Sequence, residues 1–83
     1  MTDKVLSYVL MEVEIGKTDD VVDELRKINE ATTVAVTTGS YDIVVLLETQ
    51  NLEELYEITV RGIHKIPGIK ETQTAVVEKI MKI

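Results

Sequence analysis

The residues best placed to do chemistry sit in two short stretches. In "TTGSYDIVVLLE", residues 37 to 48, a compact Gly39-Ser40-Tyr41-Asp42 turn separates two apolar runs. Gly39 admits a positive φ, and a turn there presents backbone N–H groups, a hydroxyl, a phenol and a carboxylate together. Backbone amides suit a ligand carboxylate, and Asp42 suits an ammonium. The plainer alternative is an aspartate that braces the hairpin while the tyrosine packs nearby. The second stretch is Thr72-Gln73-Thr74. At strand spacing Thr72 and Thr74 share a face and Gln73 points the other way. These residues are either ligand contacts or polar side chains facing solvent.

Other groups offer less. "IGKTDD" opens a helix after a strand, as a phosphate loop does, but that motif needs a glycine where Met11 stands. The segment is a strand-to-helix turn. His64 is the only histidine and the chain has no cysteine to share a metal with it, which leaves it a boundary residue on a helix. Asp19, Asp20, Asp23 and Glu24 lie in the first turns of a helix, where the dipole favours acids. Nucleophilic catalysis needs a Ser or Cys beside a base, and none is evident. Reading RNA on an open sheet needs aromatics with basic neighbours, yet Phe and Trp are absent. The chemistry is that of a binding module with no cofactor and no metal, not of an enzyme.

Length and charge agree. A chain of 83 residues is one small domain, of the size that buries only somewhat over ~60% of its unfolded surface. Apolar residues make up 45% of it, too many for a disordered segment. Nine Lys and Arg against fifteen Asp and Glu give a net charge of −6, with the basic residues scattered. Contacts to phosphates need clustered Lys and Arg, so direct nucleic-acid binding is not expected. The apolar run near the start is too short to span a membrane and lacks the flanks of a signal peptide. The expected address is the cytoplasm, with no membrane partner.

The positioning elements follow from periodicity. Residues 5 to 15 read as a strand, apolar on both faces up to residue 11. Gly16 breaks it, Thr18 is the expected helix N-cap, and Val21, Val22, Leu25 and Ile28 form one buried stripe through about Asn29. Residues 32 to 38 read as an edge strand, with Val34 and Val36 on one face and mainly Thr and Ala on the other. After the turn, residues 43 to 47 are again apolar on both faces. Asn51 with Glu54 resembles a capping box, and Leu52, Leu55, Tyr56, Ile63 and Ile66 share roughly one helix face. Pro67-Gly68 ends that helix. The last strand runs from about Ile69 to Val77, and the tail "EKIMKI" either extends it or adds a short turn.

This order predicts an α+β, ferredoxin-like βαββαβ fold: an antiparallel four-stranded sheet whose central strands are the first and third. Right-handed crossovers place both helices on one side, leaving the other side bare although strands one and three send apolar side chains there. Leaving four or five of these wet forgoes ~1.5–3 kcal/mol each, on the order of the whole stability of a small domain. A second copy packed sheet to sheet is the simplest cover, so a homodimer or larger is expected.

"TGSYDIVV" followed by "IPGIKETQTAVV" resembles the ligand-sensing, or RAM, domain of the Lrp/AsnC family of transcriptional regulators, from Val5 to about Glu78. Either stretch alone is weak; G-x-Y-D followed by P-G-[IV]-x-x-T-x-T is fairly specific. The resemblance implies a sensing domain standing without the family's helix-turn-helix DNA-binding domain. It also implies sheet-to-sheet dimers that assemble into a ring, often of four dimers, and an amino-acid effector bound between dimers. By motif position, Gly39, Ser40, Tyr41 and Asp42 would contact the effector. Thr72, Gln73 and Thr74 would contribute from the same or a neighbouring protomer. Association with full-length Lrp/AsnC relatives is a further implication. The alternatives are an ACT-like regulatory domain, which shares the element order, and a purely structural oligomerisation partner.

Overall fold

The computed structural model describes residues 4–83. The elements run β1 (Val5–Val13), α1 (Thr18–Leu25), β2 (Ala31–Val36), β3 (Ile43–Thr49), α2 (Leu52–Arg61), a 3-10 turn (Ile63–Lys65) and β4 (Ile69–Val76). They form one antiparallel sheet in the order β2-β3-β1-β4. The two strands apolar on both faces are therefore the central pair. A central strand has a neighbour on each edge, so its side chains hold the middle of both sheet faces, and those on the helix side make the core.

Strand alternation then divides the side chains. Val9, Met11 and Val13 of β1 and Ile43, Val45 and Leu47 of β3 point to the helices. With Val21 and Leu25 of α1, Leu55 of α2 and Ile63 they make the core. Leu6, Tyr8 and Leu10 of β1 lie in register with Glu48, Leu46 and Val44 of β3 and point the other way. None of these is fully buried, and Tyr8 is 44% exposed. Among the described residues, no helix covers the face opposite α1 and α2.

Several boundaries differ from the periodicity. β1 stops at Val13 because Glu14 turns its N–H to the Gly68 carbonyl (2.7 Å) and Gly16 takes φ +84°, leaving Ile15 in solvent. Thr18 is the first helical residue, not the N-cap; Lys17 holds that position without a side-chain hydrogen bond. α1 ends at Leu25 rather than near Asn29. There the Lys27 and Ile28 amides bond to the Glu24 and Leu25 carbonyls, three residues back, and tighten the chain into turns. α2 behaves as its cap predicts: Asn51 Oδ1 accepts the Glu54 N–H (2.8 Å) and Glu54 Oε1 accepts the Gln50 N–H (2.9 Å). Its face is narrower than expected, since Leu55 is buried while Leu52 and Tyr56 are 61% and 60% exposed. Ile63 reaches the core from the 3-10 turn, not from the helix. Residues 77 to 83 adopt no regular structure, though the Val77 amide still bonds to the Leu6 carbonyl (2.9 Å).

One core position is polar without compensation. Ser7 is fully buried on the helix side, and among the described residues its Oγ has no hydrogen-bond partner. An unmet buried hydroxyl costs ~1–3 kcal/mol. Ser7→Ala is therefore expected to raise stability by ~1 kcal/mol, read as a higher denaturant midpoint at unchanged slope.

Candidate functional site

The hairpin tip is built by its closing pair. Thr37 donates its N–H to the Asp42 carbonyl and its hydroxyl to the Tyr41 carbonyl, both at 2.8 Å. Between them Gly39 takes φ +110°, a conformation that side chains resist. Gly39 and Ser40 are exposed, whereas Tyr41 and Asp42 are half-buried. The Asp42 amide is spent on the Met11 carbonyl (2.9 Å). Among the described residues, the Gly39, Ser40 and Tyr41 amides make no hydrogen bond within the chain.

Asp42 has a definite structural task. The β1–β3 register ends at the pair Met11 and Ile43, and the next donor facing the tip is the Val13 N–H. Asp42 Oδ2 accepts it at 2.9 Å, so the carboxylate supplies one more rung where the backbone has already turned away. That rung lies at the irregularity between Glu12 and Val13, where the β1–β4 register shifts. The bracing role is thus realised.

Tyr41 reaches further. Its phenol donates to Gln73 Oε1 at 2.6 Å, linking the tip to β4 across β1. Gln73 lies in register with Leu10, so this link is on the face without helices. The tip stretch and the Thr-Gln-Thr stretch, 32 residues apart at this contact, therefore meet within one chain.

The two threonines do not join them. Thr72 and Thr74 lie in register with Met11 and Val9, whose side chains enter the core, so they belong to the helix side. Thr74 is exposed and Thr72 is half-buried. Thr72 Oγ1 is 3.0 Å from His64 Nε2 on the 3-10 turn. Sequence reasoning gives His64 only a boundary role and misses this pairing. No spacing rule connects a residue just after a helix to a strand position eight residues later. Within one protomer the tip and Gln73 therefore share one face of the sheet, and Thr72 and Thr74 lie on the other.

The model of the Lrp/AsnC ligand binding domain matches residues 6–83. The chain belongs to this family. Among curated relatives, it is 40% identical over 77 residues to the HTH-type transcriptional regulator FL11 of Pyrococcus horikoshii, covering 93% of this chain and 50% of that protein. The chain spans about half the length of the curated relatives it matches. Among solved structures, FFRP-DM1 superposes with a TM-score of 0.85 at 32% identity, covering 88% of this chain and 97% of that one. A transcriptional regulator of Neisseria meningitidis, solved with L-methionine, gives a TM-score of 0.87 at 16% identity, covering 95% and 53%. That last likeness is one of fold. The Lrp/AsnC family is one of transcriptional regulators rather than enzymes. Among the described residues, no helix is long and apolar enough to cross a membrane.

Proposed function

We propose that this Lrp/AsnC domain is a cytoplasmic effector-binding and oligomerisation module, whose effector is a free amino acid held where protomers meet. The observation that carries the reading is the Tyr41–Gln73 hydrogen bond. It ties the two halves of the family motif into one polar ledge beside unpaired backbone amides. The effector's α-carboxylate meets the Gly39, Ser40 and Tyr41 amides, and its ammonium meets Asp42. Thr72 and Thr74, on the other side of the sheet, serve a site completed by a neighbouring protomer. The methionine carried by the Neisseria regulator is the kind of ligand this polar set fits.

The uncovered sheet face supports a homodimer, and sites shared between dimers support a ring, with four dimers as the expected size. Regulation follows if the effector binds one assembly state more tightly than another, since it then shifts the population towards that state. Full-length Lrp/AsnC relatives are partners available to the same sheet face.

A thermal-shift screen against the twenty amino acids tests the reading, with light scattering on any hit. A ligand at a hundred times its Kd adds ~2.7 kcal/mol, and each kcal/mol moves Tm by ~4–8 °C in a domain of this size. A flat panel with an intact oligomer would leave a purely structural assembly partner. Asp42 allows a sharper test. An Asp42→Asn side chain can still accept the Val13 N–H through its amide oxygen but no longer offers a charge to the ammonium. The variant is expected to unfold within ~1 kcal/mol of wild type while losing roughly tenfold or more in affinity, about 1.4 kcal/mol. Equal affinity would remove Asp42 from the ligand contacts and leave it a brace.

A further inference from the structure

We infer that His64 is a positioning residue that sets which effector side chains are accepted, acting through the Thr72 hydroxyl. The inference rests on the reading of Thr72 as a ligand contact. His64 is exposed on the 3-10 turn, and its Nε2 lies 3.0 Å from Thr72 Oγ1. The two side chains form one rim of a shallow groove that also includes Ile69, Lys70 and Glu71. Lys70 and Glu71 of β4 also line this groove, and Lys65 follows His64 on the 3-10 turn.

The Thr72 hydroxyl carries a single proton, and the imidazole decides where that proton goes. When the ring is neutral and accepts at Nε2, Thr72 donates to it and turns only lone pairs outward. The hydroxyl is then an acceptor, suited to an ammonium or amide N–H on the effector. When the ring is protonated, both nitrogens donate. Thr72 Oγ1 then accepts from the ring and its proton is free for the effector. The same hydroxyl becomes a donor, suited to a carboxylate. The two forms of the ring are compared by changing the pH of the binding assay. Thr74, two residues on and on the same face, has no such partner among the described residues, which confines the reversal to Thr72.

The probes are L-glutamate, whose side chain only accepts, and L-lysine, whose side chain only donates. Their Kd values are measured at about pH 8 and about pH 5.5, bracketing the histidine range, for the 83-residue wild type, His64→Gln and Thr72→Val. In wild type the affinity ratio of glutamate to lysine is expected to rise ~tenfold on acidification, about 1.4 kcal/mol of relative preference. In both variants the ratio is expected to stay within ~twofold. Melting temperatures without ligand confirm that the variants fold.

A ratio that ignores pH in wild type overturns the proposal. So does a shift that survives in His64→Gln. A shift that survives in Thr72→Val also overturns it, because the ring would then act by charge alone. If neither probe binds at either pH while other amino acids do, the proposal falls and the sensing role stands. If no amino acid binds at either pH, both fall together.

Discussion

A Leu10→Asp variant is expected to run as a folded monomer under conditions where the wild type is a dimer or larger. Leu10 is at the middle of the face without helices, in register with Val44 on one side and Gln73 on the other. In the proposed sheet-to-sheet dimer it is buried between copies, and a carboxylate placed there has no partner. Unpaired charge in such a setting costs several kcal/mol per ion even after relaxation. The substitution also withdraws one of the apolar contacts, each worth ~1.5–3 kcal/mol, that hold the copies together. In the monomer the same aspartate faces water, so the helix-side core is undisturbed and circular dichroism should be close to wild type. Light scattering at micromolar concentration decides the matter. A wild-type monomer, or an oligomer that tolerates the aspartate, would move the interface away from this face.

Met11→Ala is expected to lower stability by ~2–5 kcal/mol, a large part of what a small domain has to lose. Met11 is fully buried, in register with Ile43 on one side and Thr72 on the other. Truncation therefore opens a cavity at a point where β3, β1 and β4 are all anchored. The Met11 carbonyl also accepts the Asp42 amide, so slack in β1 reaches the tip directly. The variant is expected to show a fall in Tm of at least ~10 °C and a weaker effector response even where it remains folded. A loss below ~1 kcal/mol would mean that neighbouring side chains close over the gap.

The sheet order was readable because it depends on pattern alone. Two strands apolar on both faces had to be central, and one rich in threonine on one side had to be an edge. The α2 cap was equally readable, since Asn51 and Glu54 interact over a few residues. Features decided by tertiary geometry were not. Thr18 is a good capping residue by type, yet the turn at Gly16 brings Lys17 to the N-cap. Leu52 and Tyr56 fit the helical stripe of α2, but the core beneath reaches only Leu55 before the chain leaves the helix at Gly62.

The site divides the same way. The Gly39-Ser40-Tyr41-Asp42 turn and the opposed faces of Thr72, Gln73 and Thr74 follow from local rules. Which of them meet does not, because the Tyr41–Gln73 link depends on β4 pairing with β1 rather than β3. The rung made by Asp42 depends on where the β1–β3 ladder stops. The His64–Thr72 pair depends on the 3-10 turn that carries the chain from α2 towards β4.

The carboxylate rung also makes the tip self-reporting. The Val13 amide hydrogen is held by Asp42 and by no carbonyl of β3, so deuterium from solvent can replace it whenever the tip lifts. Amides deep in the ladder exchange only through wider openings of the sheet, whereas this one reports the local opening free energy. Its exchange rate, compared with and without an amino acid, measures how firmly an effector clamps the hairpin at a backbone position the effector need not touch.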